Sequence, residues 1–197
     1  MALPRVVGFS GNTQRPSKTR ALVETIAQAV AERSQADIRH FDIVDAGPGL
    51  GSAWSRDALS LPARRVIEAI ENADALIVGT PVYKGAYSGL FKHLFDLVDP
   101  GALTDKPVIL AATGGGSRHA LVVEHSLRPL LGFFGALGLP TAIYACDAEF
   151  RDGILVDEGV SRRIEGAAGQ LAGILRARRG TVLSLDEIRA ASEQVTG

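Results

Sequence analysis

The chain has 197 residues, enough for one large core or for a domain with an extension. Hydrophobic residues make up 46% and charged residues 22%, with a formal net charge of -1, so nothing in the balance favours nucleic acid or an anionic membrane. A single cysteine, Cys146, excludes a disulfide scaffold and argues against a thiolate metal site; its surroundings, TAIYACDAEF, read as a strand end with a packed thiol.

The start of the chain carries no charged segment followed by an apolar stretch and a cleavage site, and no run reaches about 18 apolar residues. The expected location is therefore the cytoplasm. The first element is RVVGF (5–9), an apolar β-branched run read as a buried strand. Residues 17–33 put Leu22, Ile26, Ala29 and Val30 on one helical face. Residues 37–44 read as a strand through Ile38, Phe41 and Ile43, and 45–62, rich in Gly, Ser and Pro, as a long surface loop.

A helix follows over 63–73, then a buried strand over 74–82, a helix over 88–98 and a strand over 106–114. Residues 120–138 read as one helix with Pro129 inside it, 141–147 as a strand and 160–179 as a helix. Gly180 is expected to stop that helix, and Ser184 with Glu187 forms a capping box for a short extra helix. The domain is thus drawn over 1–179 and a C-terminal extension over 180–197, which either packs on a neighbouring subunit or hangs free. Arg176, Arg178 and Arg179 read as a solvated helix end.

Strands alternating with helices build a parallel sheet with right-handed crossovers and helices on both faces. The expected fold class is α/β: a flavodoxin-like three-layer sandwich with a five-stranded parallel sheet in order 2-1-3-4-5. Ligands of such sheets sit beyond the carboxyl ends of the strands, so the loops there carry the functional argument.

The first loop lies in GFSGNTQRPSKTR (8–20). A helix N-terminus supplies free N–H groups and partial positive charge, which suits phosphate. Ser10, Asn12, Thr13, Ser17 and Thr19 add polar groups and Arg15 a charged fork; alternatively this is an ordinary polar loop with Ser17 as helix cap. Neither G-x-G-x-x-G nor the P-loop pattern is present. The loop after the third strand, GTPVYKGAYSGLFK (79–92), offers Pro81, a flat Tyr83 and the Lys84 cation, suited to a planar ring or simply to a turn beside a core aromatic. The loop after the fourth strand, ATGGGSRHA (112–120), offers bare backbone at Gly114, Gly115 and Gly116 and hydroxyls at Thr113 and Ser117. One loop for phosphate, one for a ring face and one for a ring edge together describe a mononucleotide with a large planar group, and FMN is such a ligand.

The segments FSGNTQRPSKTRALVE, GTPVYKGAYSGLFKHLFDL and ATGGGSRHALVVEHSLRPLLGFFGA resemble the NAD(P)H-dependent FMN reductase family over about residues 4 to 178, closest to the branch that supplies reduced flavin to sulfonate monooxygenases. The resemblance implies FMN as cofactor and substrate, NADH or NADPH as hydride donor with a lean toward NADH, and a homodimer or homotetramer. It assigns Ser10, Asn12, Arg15, Ser17 and Thr19 to the phosphate loop. It assigns Pro81, Val82, Tyr83 and Lys84 to the ring face, and Thr113, Gly114, Gly115 and Gly116 to the ring's pyrimidine edge. No side-chain base is required, because the cofactor carries hydride transfer; His119 and Lys84 are the candidates for a direct role. His125 stands where the alkanesulfonate branch has a tyrosine beside a π-type insertion, and is expected near an interface helix rather than in the chemistry, or alternatively as an ordinary helix-surface histidine. The rival readings are an FMN-bound quinone or azo reductase and a flavodoxin-like electron carrier, against which the small net charge argues.

Overall fold

The computed structural model describes the backbone of residues 3–195 and side chains through Arg179. Strand β1 (Arg5–Ser10) is the central starting point: it pairs in parallel with β2 (Asp37–Asp42) on one side and β3 (Ala75–Pro81) on the other. β3 pairs with β4 (Pro107–Gly114), and β4 carries both β5 (Leu137–Gly138) and β6 (Ile143–Cys146). The order is β2-β1-β3-β4-β5, all parallel, as the alternating sequence predicts. The expected fifth strand is thus two short pieces on one edge. The chain between them, Leu139–Ala142, holds Pro140, which has no N–H for a ladder.

Two apolar clusters cover the two sheet faces. Val6, Ala75, Ile77, Ile109 and Ala111 face α1 (Lys18–Arg33) and α7 (Glu158–Val195). Val7, Phe9, Leu76, Val78, Val108 and Leu110 face the other layer, which includes α4 (Leu61–Glu71) and α5 (Gly89–Asp96). The alternation along each strand, with both parities buried, is what a sheet covered on both faces requires.

Several local expectations are corrected. β2 ends at Asp42, two residues early, because Asp42 caps a short helix, α2 (Ile43–Ala46), in a reciprocal box with Asp45. The segment read as a loop over 45–62 holds a second short helix, α3 (Gly49–Ser52), and a 3₁₀ turn (Arg56–Ala58), and it buries Leu50, Ala53 and Leu59. The helix expected over 120–138 ends at Phe133. It begins as a π-helix (Val123–Leu127), closed by the Arg128 N–H on the Val123 carbonyl, and continues as α6 (Arg128–Phe133). This register change puts Pro129 in the first turn of α6, where its missing N–H costs nothing. A small antiparallel hairpin, β7 (Phe150–Arg151) with β8 (Ile154–Leu155), was not foreseen. Gly180 does not stop the last helix, since α7 runs through to Val195 without a separate short helix; the expected capping contact of Ser184 and Glu187 lies outside the described side chains.

Candidate functional site

The loop leaving β1 is built around one buried carboxylate. The β1–β2 register sets Ser10 beside Asp42, and the Asp42 side chain is 0% exposed. Asn12 Nδ2 donates to Asp42 at 3.0 Å, Arg15 Nε and Nη2 both donate to it at 2.8 Å, and Arg20 Nη1 donates at 2.9 Å. Ser10 Oγ donates to Asn12 Oδ1 at 2.6 Å, and Asn12 Nδ2 also reaches the Gln14 carbonyl at 3.1 Å. Burial alone would raise the Asp42 pKa; the contacts from Arg15, Asn12, Arg20 and the Asp45 amide outweigh it and hold the carboxyl down at about 2.

These bonds turn the loop's polar side chains inward. The Arg15 fork, expected to face a phosphate, is closed on Asp42 and on Asp45 at 2.6 Å. Thr19 is buried, and its hydroxyl pairs with that of Thr113 at 2.6 Å. Ser17 caps α1, accepting from the Arg20 N–H at 3.3 Å, and keeps its own proton to donate. What the loop has left for a ligand is backbone. Gly11 N–H donates to the Gly79 carbonyl, but among the described residues the N–H groups of 12–15 and 17–19 enter none of the chain's backbone hydrogen bonds. A run of free amides leading into a helix N-terminus fits a phosphate.

The loop after β3 is a tight hairpin turn. Tyr83 and Ala86 exchange backbone hydrogen bonds at 2.8 and 3.2 Å, with Lys84 at φ 51 and Gly85 at φ 91. Positive φ at both central positions is the type I′ turn, which holds Tyr83 and Lys84 out into solvent. Val82 N–H donates to the Thr113 carbonyl at 2.7 Å, tying this turn to the end of β4, and Pro81 is the last residue of β3.

The glycine loop is held by Tyr144 from the neighbouring β6. Its hydroxyl donates to the Gly116 carbonyl at 2.6 Å. A Cβ on Gly114 would come within 2.4 Å of that hydroxyl oxygen, so the close approach requires glycine. Between this loop and the hairpin turn lies an open cavity of ≈ 740 Å³, with Val82, Lys84 and Gly85 on one side and Gly115 to His119 on the other. The structure therefore brings together Val82, Lys84, Gly115, Gly116 and His119 as the sequence suggests, and adds Arg118. That residue was missed because an exposed arginine beside a glycine run carries no pattern of its own. His125 stands apart: it lies in the π-helix and lines a different hollow of ≈ 650 Å³ with Phe95, Pro129 and Phe133.

A parallel sheet of this order, with its ligand-sized crevice at the carboxyl edge, places the chain in the flavodoxin-like class. Its relatives narrow the class. The family described as NADPH-dependent FMN reductase matches residues 4–150, and the chain belongs to it. It is 43% identical over 174 residues to an FMN reductase (NADPH) of Pseudomonas aeruginosa, covering 88% of this chain and 94% of that protein. It is 45% identical over 168 residues to the NADH-dependent FMN reductase SfnF of Pseudomonas fluorescens, covering 85% and 90%. Among solved structures, an oxidoreductase from Corynebacterium diphtheriae superposes with a TM-score of 0.79 at 31% identity, covering 89% of this chain and 98% of that one. As a family member the chain is an oxidoreductase that works with FMN and a nicotinamide hydride donor. Among the described residues, no helix is long and apolar enough to cross a membrane.

Proposed function

We propose that the three loops hold FMN in one orientation and present it to NADH or NADPH. The observation that carries this reading is the set of unpaired N–H groups over residues 12–15 and 17–19, stiffened by Asp42 and running into the N-terminus of α1. Those amides and the Ser17 hydroxyl take the phosphate, while Ser10, Asn12, Arg15 and Thr19 hold the loop's shape. Pro81, Val82 and Tyr83 flank the ring, and the backbone of Thr113 to Gly116 faces its pyrimidine edge. Bound FMN supplies a ring that accepts a hydride and passes electrons on. Lys84 and the glycine-loop amides stabilise the negative charge of the reduced ring, and His119 lines the same opening. No general base is assigned, because hydride transfer to a flavin requires none.

Reduced FMN, in this reading, leaves for a flavin-dependent sulfonate monooxygenase. The motif likeness to the sulfonate branch supports that assignment, as does the open crevice. The enzyme works as a homodimer or homotetramer, for which the exposed Leu121 and Phe133 beside the π-helix offer apolar surface.

Titration of the apo chain with FMN, followed by flavin fluorescence quenching, tests the site; NAD(P)H oxidation with excess FMN tests the activity. The expected result is saturable quenching together with turnover that depends on added FMN. A chain that neither quenches flavin nor oxidises either nucleotide sinks the reading. Tight yellow FMN retained through turnover favours the quinone or azo reductase alternative instead. A coupled assay with a sulfonate monooxygenase tests the last step, and no sulfite above the reductase-free control counts against it.

A further inference from the structure

The carboxyl edge of the sheet carries two anion surfaces, and FMN has one phosphate. The first surface is the amide run after β1. The second is the rim of the ≈ 740 Å³ cavity, lined by Lys84 and Arg118 with no carboxylate among its lining residues. Most cations of the described chain have an acceptor: Lys18 pairs with Asp147, Arg56 with Glu71, Lys92 with Asp96 and Arg128 with Glu124. Lys84 and Arg118, like Arg65 and Arg151 elsewhere on the surface, have none among the described residues and are exposed; only Lys84 and Arg118 of these four line this cavity. The acid nearest the glycine loop, Asp147, lies 4.0 Å from where a Cβ on Gly115 would stand, and Lys18 already holds it at 2.7 Å.

The surroundings suit a ligand rather than a protein partner. Added Cβ atoms on Gly85 and Gly116 would meet nothing within 4 Å, so both walls present bare backbone to open space. Lys84 is held at φ 51 in the type I′ turn, which fixes the base of its side chain. Ser117 adds a hydroxyl on the same rim.

The two surfaces cannot serve one phosphate. β1 and β4 are separated by β3, and strands stand about 4.8 Å apart, so the two loops begin roughly 10 Å apart across the edge. The reaction has a second phosphate-bearing substrate, the dinucleotide hydride donor. We propose that Arg118 binds the phosphates of that donor and sets its affinity. This rests on the FMN-reductase reading above. The shared chemistry is a phosphate oxygen against a guanidinium. It has two sources in the donor: the diphosphate common to NADH and NADPH, and the 2′-phosphate of NADPH alone.

The test compares the full chain with Arg118→Ala and Arg118→Lys. Binding of ADP and of 2′-phospho-ADP, probes without a nicotinamide, is measured by calorimetry. KM for NADH and NADPH is measured at saturating FMN, and FMN affinity by fluorescence. In Arg118→Ala, about tenfold weaker binding of both probes, with KM raised for both donors, places the residue on the diphosphate. Loss confined to 2′-phospho-ADP and NADPH places it on the 2′-phosphate; either result supports the proposal. Partial rescue by Arg118→Lys adds support, since a point charge restores attraction without the fork. Unchanged probe binding and unchanged KM overturn the proposal while FMN reduction continues. Weaker FMN with unchanged donor binding also overturns it, because Arg118 then serves the flavin. If the unaltered chain reduces no FMN, it is the reading of the function that fails.

Discussion

Replacing Asp42 by Asn tests how the first loop is held. The change keeps size and removes one buried charge. In the folded chain the Asp42 carboxyl sits at about 2 rather than 3.8, and at about 1.36 kcal/mol per pH unit that displacement is worth about 2 kcal/mol at neutral pH. The variant also leaves Arg15 and Arg20 beside an uncharged amide. Breaking a fully buried pair costs roughly 3–5 kcal/mol, but the Arg15 side chain is 41% exposed and Arg20 25%, so water offsets part of that. The expected loss is about 2–3 kcal/mol, or roughly 4–12 °C in Tm for a chain of this size. Because the loop's amides are aligned through Asn12 and Arg15, FMN affinity should fall about tenfold or more in the same variant. The pH dependence gives an independent check. A carboxyl with a lowered folded pKa contributes its full stability above 3.8 and loses it as pH falls toward 2. Urea unfolding of the unaltered chain should therefore weaken over that window more steeply than unfolding of the variant. An unaltered urea midpoint and unaltered flavin affinity in Asp42→Asn would refute the argument that this carboxylate organises the loop.

Tyr144→Phe removes the hydroxyl that holds the Gly116 carbonyl; a loss of about 1 kcal/mol of stability is expected, with several-fold weaker FMN binding by fluorescence titration. Gly114→Ala should impair flavin binding through the 2.4 Å clash with that same hydroxyl, and the double variant Gly114→Ala with Tyr144→Phe should bind better than Gly114→Ala alone. No rescue would show that the clash is not what Gly114 avoids. Lys106 is buried and donates to the Ile70 and Glu71 carbonyls at the end of α4, and burial pushes its ammonium down to about 8. Between pH 8 and 10.5 the unfolded chain binds the extra proton, so stability should rise with pH over that window, and Lys106→Met should flatten the rise in urea titrations.

The sheet was legible because its strands are apolar runs and its connections are periodic. RVVGF, ALIVG and PVILAA are apolar at successive positions, as strands buried on both faces require, and their alternation with helices calls for a parallel sheet with right-handed crossovers. The fifth strand was legible as apolar chain but not as two pieces, since the interruption depends on what β4 can pair at each end. The short helices over 43–52 were hidden by Gly, Ser and Pro, which signal turns whether or not a turn closes into a helix. Pro129 announced irregularity in the helix over 120–138, and the backbone resolves it by one wider turn just before it, over Val123–Leu127.

The site was legible in composition and not in connectivity. Ser10, Asn12, Arg15 and Thr19 read as one phosphate loop, yet the partners of two of them lie far along the chain: Asp42 is 27 residues from Arg15, and Thr113 is 94 from Thr19. Only the strand register brings these groups together, and a local pattern does not carry it.

That difference changes what the polar side chains accomplish. A loop whose arginine reached directly for a phosphate would keep its affinity in the charge itself and pay for ordering the side chain at binding. Here the ordering is done during folding: Arg15 is clamped by Asp42 and Asp45, Asn12 by Asp42 and the Gln14 carbonyl, and Ser17 by the Arg20 amide. The amides that remain are fixed in direction before a ligand arrives, which reduces the entropy lost on binding. Backbone donors also carry no net charge, so they hold an anion without pinning it by an ion pair. Under the proposed reading, in which the flavin is both cofactor and product, a preformed but uncharged cradle suits a surface that accepts FMN and lets its reduced form go.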